Sequence, residues 1–148
     1  MASPSDYFSA TRSVCVIVVD DNALIRNAIL RTLQPMASAV GATSAEEAIA
    51  LLGTRRIDVV LTDLDLGEGE DGGRLLERIR ETLPRIRRVL MSGRHNLELR
   101  VDPPWQLFLP KPMTAEEVRA AVCPERAGRD RPGPDATIAE RTTAARSE

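Results

Sequence analysis

The stretch that decides the fold is VCVIVVDDN, residues 14–22, in which six apolar residues lead directly into two aspartates and an asparagine. Apart from Cys15, every residue of the apolar run is a valine or an isoleucine. A continuous apolar, β-branched run is typical of a strand that is covered on both faces, as in a parallel sheet. We therefore predict a buried strand at residues 14–19 and a following helix that Asn22 caps.

Outward from this strand, the chain alternates between short apolar runs and amphipathic stretches. Ser44 and Thr114 each stand three residues before a glutamate, the spacing of a capping box at the start of a helix. Strand and helix alternate five times, which predicts an α/β, flavodoxin-like, doubly wound parallel sheet of five strands in the order 2-1-3-4-5, with helices on both faces. The predicted strands are residues 14–19, 39–42, 58–62, 88–91 and 105–109, and the predicted helices are residues 23–33, 44–52, 74–83, 94–101 and 114–122.

Length and composition suggest how the chain is organised. Its 148 residues suit one domain, and we divide them into a flexible leader at residues 1–13, a folded domain at residues 14–122 and a disordered tail at residues 123–148. We expect no output domain in the tail, where large apolar residues are few. A formal charge of −2 gives no sign of nucleic-acid binding. Because no segment reads as a signal peptide or a membrane span, we expect a cytoplasmic protein without a membrane partner.

Charged and polar residues follow the ends of four predicted strands. Asp20 and Asp21 follow the first strand, Asp63 the third and Ser92 the fourth, while Lys111, the chain's only lysine, follows the fifth. In a parallel sheet these ends meet at one edge, where ligands bind. Carboxylates crowded together raise one another's pKa values unless a cation lies between them, and Mg²⁺ suits such a set. The pattern therefore favours metal-assisted binding of a phosphoryl group.

Four motifs together resemble the response-regulator receiver domain of two-component signalling. The resemblance covers residues 14–122 and implies that Asp63 is the phosphoacceptor. It implies a histidine kinase or a histidine phosphotransfer protein as phosphodonor, and a downstream partner that the sequence does not identify. The motifs are VVDDN at residues 18–22, DVVLTDLDL at residues 58–66, VLMSG at residues 89–93 and FLPKP at residues 108–112.

The resemblance also assigns the remaining site residues. It implies that Mg²⁺, or Mn²⁺, is bound by Asp20, Asp21, Asp63 and the backbone carbonyl of Asp65. Ser92 and Lys111 would bind the phosphoryl group, and Phe108 would be the switching aromatic residue. The peptide bond between Lys111 and Pro112 would be cis, as is usual in the family.

The chain departs from the family pattern in two places. The loop at residues 66–73 is richer in glycine and acidic residues, and the segment between Ser92 and Lys111 is shorter and contains two prolines, so we expect a stunted fourth helix. Asp65 and Arg94 lie two residues beyond Asp63 and Ser92. We hypothesise that their opposite charges bring them together over the site and restrict water, although two solvated surface charges are an equal alternative.

Three functions are compatible with the sequence. The first is a phosphorylation-switched signalling protein, which is not an enzyme beyond promoting its own Mg²⁺-dependent phosphotransfer and dephosphorylation. Its phosphodonor would dock near Leu24, Ile25 and Ala28, two of which we expect to be core residues. The second is a phosphatase, since LTDLDLG at residues 61–67 also resembles the nucleophile motif of haloacid-dehalogenase phosphatases. The third is a receiver-like interaction module that works without phosphorylation.

Overall fold

The structure is a computed structural model that describes residues 14–94, 97 and 100–123. The predicted leader, residues 124–148 of the predicted tail and part of the predicted helix at 94–101 lie outside the described residues. The strands are β1 (Val14–Val19), β2 (Ala37–Ala42), β3 (Val59–Asp63), β4 (Arg87–Ser92) and β5 (Leu107–Pro110). The helices are α1 (Ala23–Leu33), α2 (Ala45–Leu52), α3 (Gly72–Thr82) and α4 (Ala115–Val122).

The five strands form one parallel sheet in the order β2-β1-β3-β4-β5. This confirms the predicted flavodoxin-like topology. The last four residues of β1 are completely buried, and they alternate between two core layers. Ile17 and Val19 pack in the layer that α2 and α3 cover, while Val16 and Val18 pack in the layer that α1 and α4 cover. The continuous apolar run thus fits a strand with helices on both faces.

Side chains cap the N-termini of the helices and so define where the loops that precede them end. The Asn22 side chain accepts hydrogen bonds from the N–H groups of Leu24 and Ile25 at 2.9 and 3.1 Å, as its position predicted. Thr114 and Glu117 form the predicted capping box at the start of α4. Asp71 caps α3, which therefore begins two residues earlier than the sequence indicated.

Exposure along α1 corrects one expectation from the sequence. Ile25 is half-buried and packs on the core, whereas Leu24 is 81% exposed and Ala28 is also exposed. The expectation that two of these three residues are core was therefore wrong. Apolar character alone did not reveal which face of the helix points inward. Among the described residues, no helix has the length and apolar character to cross a membrane.

Two arginines hold the connection between β4 and β5. Arg80 of α3 donates to the carbonyl oxygens of Asp102 and Pro103 at 3.4 and 3.2 Å and contacts the Asp102 carboxylate at 3.3 Å. Asp102 has a φ of 48°, a left-handed conformation that non-glycine residues seldom adopt. Trp105, only 6% exposed, fills the core beside this segment. Among the described positions of the connection, 93, 94, 97 and 100–106, none is α-helical, although Leu97 has a 3₁₀ conformation.

The second arginine, Arg88, is buried at the start of β4. Its guanidinium donates to the carbonyl oxygens of Pro104 at 2.8 Å and of Pro84 and Ile86 at 3.0 Å. Burial lowers the pKa of Arg88, and the nearby charge of Arg80 acts in the same direction. These hydrogen bonds join the loop before β4 to the loop before β5. The guanidinium thereby provides hydrogen-bond donors for backbone carbonyl oxygens that lie in loops, outside the helices and strands.

Replacement of Arg88 by methionine should therefore destabilise the fold. The Arg88→Met side chain keeps the apolar stem but leaves three carbonyl oxygens without their donor, which should lower the free energy of unfolding by about 2–3 kcal/mol. Urea denaturation followed by circular dichroism measures this change. Arg85→Met is the matched control, because Arg85 is exposed, and should change stability by less than about 0.5 kcal/mol. Equal stabilities of the two variants would contradict this role for Arg88.

Candidate functional site

The predicted site residues lie at the carboxyl edge of the sheet. β1 lies between β2 and β3, and β4 pairs with β5 beyond β3. Asp20 directly follows β1, Asp63 is the last residue of β3, Ser92 is the last residue of β4 and Lys111 directly follows β5. Consecutive parallel strands in register therefore bring residues that are up to 91 positions apart to one rim, where the sequence placed them.

Three carboxylates converge at this rim. Asp20, Asp21 and Asp63 each offer an oxygen, and these oxygens lie within 4.8 Å of one another. Asp20 and Asp63 are 1% and 8% exposed, while Asp21 faces solvent. Burial raises the pKa of Asp63, the nearby carboxylates of Asp20 and Asp65 raise it further, and Lys111 acts against this shift. The carboxylates thus meet in a setting that disfavours their charge unless cations compensate it.

One carboxylate oxygen of Asp20 is buried without full compensation of its negative charge. Asp20 Oδ1 accepts a hydrogen bond from the N–H of Asn22 at 2.9 Å. Asp20 Oδ2 is buried without a hydrogen-bond partner, and the nearest cation, Lys111 Nζ, is 3.6 Å away. A buried carboxylate oxygen in this state is unfavourable, and a hard divalent cation would satisfy it. The donor set therefore fits Mg²⁺ or Mn²⁺.

Lys111 links the acidic residues to the last strand. Its Nζ lies 3.2 Å from Asp63 Oδ1, and its backbone N–H donates to the carbonyl oxygen of Ser92 at 2.9 Å. The bond between Lys111 and Pro112 is cis, which confirms the expectation from the family resemblance. The ammonium group thus lies between the two buried carboxylates, at the distance of a direct ion pair with Asp63.

Ser92 and the pair of Asp65 and Arg94 lie on the β4 side of the rim. Ser92 is 1% exposed, and its Oγ accepts a hydrogen bond from the N–H of Arg94 at 3.0 Å. Arg94 Nη2 donates to Asp65 Oδ1 at 2.7 Å, although both side chains are more than half exposed. The structure therefore brings Asp65 and Arg94 together, as hypothesised from their charges. Whether they restrict water is a separate prediction.

Phe108 is placed differently from the other predicted residues. It is half-buried in β5 and packs in the core layer under α2 and α3, with its ring centroid 6.5 Å from that of Trp105. The tilted contact between the two rings has an interplanar angle of 43°. The structure shows what Phe108 packs against and leaves its role as the switching aromatic residue a prediction.

Two residues at the site were not predicted from the sequence. Gly72 opens α3 directly behind the end of β3, and a Cβ there would overlap the backbone carbonyl oxygen of Asp63. The glycine pair in DGG at residues 71–73 is a signal for such a close approach, but it reads equally as part of a flexible loop. Arg26 donates from Nη1 to the carbonyl oxygen of Asp20 at 2.7 Å. Nothing in the spacing of Arg26 reveals that contact.

Comparison with known protein families gives a match that is consistent with the fold and with the carboxylates at its rim. The family model described as the response regulator receiver domain matches residues 16–123. The chain belongs to the receiver domain family of two-component signalling. This confirms the resemblance that the four sequence motifs carried.

Individual proteins are similar to parts of this chain. The hydrogenase transcriptional regulatory protein HoxA of Cupriavidus necator is 35% identical over 82 residues, which are 55% of this chain and 17% of that protein. The chain thus spans about a sixth of this curated relative. The signal receiver domain of an HD domain-containing protein from Pseudomonas fluorescens has a TM-score of 0.68 at 28% identity, covering 74% of this chain and 91% of that one.

One further solved structure shows the fold. A response regulator protein from Burkholderia pseudomallei, with a phosphorylated aspartic acid, a calcium ion and citrate, has a TM-score of 0.71. It is 21% identical and covers 88% of this chain and 74% of its own. At this identity the likeness extends to the backbone architecture alone.

Proposed function

We propose that this receiver domain accepts a phosphoryl group on Asp63 from a histidine kinase or a histidine phosphotransfer protein and signals by a changed affinity for another protein. The observation that supports this most is the pairing of Lys111 Nζ with Asp63 Oδ1 at 3.2 Å beside a second buried carboxylate. An oxygen nucleophile and a cation for phosphoryl oxygens thus lie side by side. The proposed location remains the cytoplasm.

The residues of the chain divide the work of phosphoryl transfer. A carboxylate oxygen of Asp63 attacks phosphorus, the bond from phosphorus to the donor's imidazole nitrogen breaks, and its electron pair leaves with the imidazole. Asp20, Asp21, Asp63 and the carbonyl of Asp65 would hold Mg²⁺ or Mn²⁺, which neutralises charge on the phosphoryl oxygens.

Lys111 and Ser92 stabilise the transferred group in this proposal. Lys111 offers an ammonium donor beside Asp63. Ser92 Oγ already accepts a hydrogen bond from Arg94, so its own O–H remains able to donate to a phosphoryl oxygen. Donors that are in place before reaction stabilise the charge that develops in the transition state. The added dianion would then alter the contacts of these side chains, which is how a local charge change becomes a signal.

A groove beside the site suits the docking of a phosphodonor. Its volume is about 520 Å³, and it lies between α1 and α4 with Lys111 and Pro112 in its lining. Ile25 and Ala28 line the α1 side, and Leu24, the residue before Ile25, is exposed to solvent. The exposed Leu24 and Ala28, together with the exposed part of Ile25, are thus available to a donor protein.

Incubation with a small acyl phosphate and Mg²⁺ tests the proposal against a phosphatase. A receiver domain takes up one phosphoryl group per chain, whereas a haloacid-dehalogenase-like phosphatase releases phosphate from esters over many turnovers. In that phosphatase, Asp65 would act as the general acid. Here its Oδ1 accepts a hydrogen bond from Arg94, and the family assignment favours the receiver. Repeated hydrolysis of phosphate esters would overturn the proposal.

The alternative of an interaction module that works without phosphorylation is tested by comparing which downstream proteins bind. Pull-downs compare the phosphorylated protein with the Asp63→Ala variant. The proposal predicts that the set of bound proteins differs between them. Identical binding in both would favour the module.

We also propose that the ion pair of Asp65 and Arg94 slows loss of the phosphoryl group by restricting attacking water. Asp65→Ala and Arg94→Ala should each shorten the half-life of the phosphorylated protein about two- to fivefold, the factor that matches an exposed ion pair worth about 0.5–1 kcal/mol. Decay of the labelled protein in excess unlabelled buffer measures this half-life.

A matched control separates this role from the general loss of a surface ion pair. Arg78→Ala removes the ion pair of the exposed Arg78 with the half-buried Glu70, whose atoms lie 3.0 Å apart near the same loop. It should leave the half-life unchanged. If Asp65→Ala and Arg94→Ala also leave it unchanged, the two side chains do not shield the site.

A further inference from the structure

Every polar group of Asp20 except one carboxylate oxygen has a partner within the chain. Its N–H donates to the carbonyl oxygen of Ala42 at 3.0 Å, and its Oδ1 accepts from the N–H of Asn22 at 2.9 Å. Its carbonyl oxygen accepts from Arg26 Nη1 at 2.7 Å. Only Oδ2 is left without a hydrogen bond, and it faces the site. Asp20 is therefore fixed on three sides.

The contact with Arg26 differs from the others because it comes from a side chain of the next helix. The carbonyl of Asp20 belongs to the peptide unit that joins Asp20 to Asp21. A hydrogen bond that fixes this peptide plane also fixes the position of the Asp21 Cα atom, from which the Asp21 side chain starts. Arg26 thus acts on both acidic residues through the single peptide unit between them.

Gly41 of β2 makes room for Arg26. It pairs with Val18 of β1, and a Cβ at position 41 would lie 2.9 Å from Arg26 Cδ and 3.2 Å from Arg26 Nε. The stem of Arg26 therefore passes over the bare backbone of β2. Hydrogen bonds from Thr43 lower the pKa of Glu47, and the charge of Arg26 adds to this in the same direction. The arginine is held along a defined path between α1 and β2.

We propose that Arg26 is a positioning residue for the acidic pair. Its guanidinium holds the peptide unit between Asp20 and Asp21 so that both carboxylates face the same site as Asp63, and Gly41 leaves the space that this requires. The inference rests on the proposed metal-binding function, and it identifies a residue that orients two of the proposed metal ligands without binding the metal. Residues that orient metal ligands from behind typically affect affinity by about 10- to 100-fold.

The sign of the effect separates positioning from charge. Arg26→Ala removes a positive charge near the site, which by electrostatics alone should strengthen the binding of a cation. Loss of positioning should weaken it instead. We expect the Mg²⁺ or Mn²⁺ affinity of Arg26→Ala, measured by isothermal titration calorimetry on the full chain, to fall about tenfold or more. Arg31→Ala is the matched control, because it removes an exposed positive charge from the same helix, and should not weaken binding.

Gly41→Ala provides an independent arm that leaves the charge unchanged. By displacing the stem of Arg26, it should also weaken metal binding. In a chain that already carries Arg26→Ala, Gly41→Ala should cause little further loss of metal binding, because the closest contact of the added Cβ, at 2.9 Å, is with Arg26 Cδ, and the contact with Leu30 Cδ1, at 3.2 Å, is with a residue that packs on the core. Thermal unfolding of each metal-free variant shows whether it is folded. If Arg26→Ala does not fold, Gly41→Ala still tests the inference.

The results distinguish this inference from the function on which it rests. If the wild type binds metal and both variants bind it as tightly or more tightly, Arg26 does not position the acidic pair, and the proposed function stands. Additive losses from the two substitutions would also overturn the inference. If the wild type itself binds neither ion, the proposed metal site is wrong, and the inference is wrong with it.

Discussion

Gly72→Ala should lower the free energy of unfolding by about 3 kcal/mol, at the upper end of the cost of overpacking a buried site. The added Cβ would overlap the backbone carbonyl oxygen of Asp63 and would lie 3.0 Å from Thr62 Oγ1. Both obstacles belong to β3 at the centre of the sheet, so neither can move as the end of a flexible side chain would. Either α3 or the end of β3 must shift. Denaturation in urea, followed by circular dichroism, gives the change.

The chain offers a matched glycine for comparison. A Cβ at Gly53 would lie 3.5 Å from the nearest atom, the carbonyl oxygen of Ala50, which is an ordinary contact. Gly53 also has a right-handed helical conformation, with a φ of −81°, that alanine adopts without strain. Gly53→Ala should therefore change stability by less than about 0.5 kcal/mol. If Gly72→Ala is as stable as Gly53→Ala, the close approach of α3 to the Asp63 carbonyl is wrong.

Lys111→Met should slow phosphorylation of Asp63 about 100-fold, the effect typical of removing one donor that stabilises developing negative charge. The substitution removes the only cation that contacts both buried carboxylates among the described residues, Asp63 at 3.2 Å and Asp20 at 3.6 Å. The initial rate of label uptake from a small acyl phosphate, at saturating Mg²⁺, measures the loss. Arg119→Met, which removes an exposed charge from α4, should leave this rate unchanged.

Lys111→Arg asks whether the chain's only lysine must be a lysine. A guanidinium is larger and planar and donates in a fixed fork, whereas the ammonium is a compact charge that can lie between two carboxylates. We expect this variant to be phosphorylated much more slowly than the wild type. A normal rate would show that a positive charge alone is sufficient at this position.

The sequence predicted those parts of the fold and site that depend on local order along the chain. Alternating apolar runs and capped helices gave the strand order, because parallel connections leave few topologies for such a pattern. The same logic brought Asp20, Asp63, Ser92 and Lys111 to one rim, since each follows or ends its own strand. For these features, the order of apolar and polar residues along the chain is enough to predict their position in the fold.

Contacts between distant backbone groups could not be predicted in this way. Arg88 reads as one more arginine at the start of a strand, yet it joins carbonyl groups of residues 84, 86 and 104. Gly41 reads as a weakness in β2, because its purpose depends on the side chain of Arg26 across the layer. The start of α3 was missed because an aspartate followed by two glycines also suits a loop. Each depends on three-dimensional proximity that no spacing encodes.

The most direct measurement of the central claim is peptide mapping by mass spectrometry after incubation with a small acyl phosphate. The account predicts one phosphoryl group on Asp63, dependent on Mg²⁺ or Mn²⁺, and none in the Asp63→Asn variant with its fold intact. Asp20, Asp21 and Asp65 should carry none. A phosphoryl group on one of those residues, or a folded wild type that takes up none with metal present, would contradict the account.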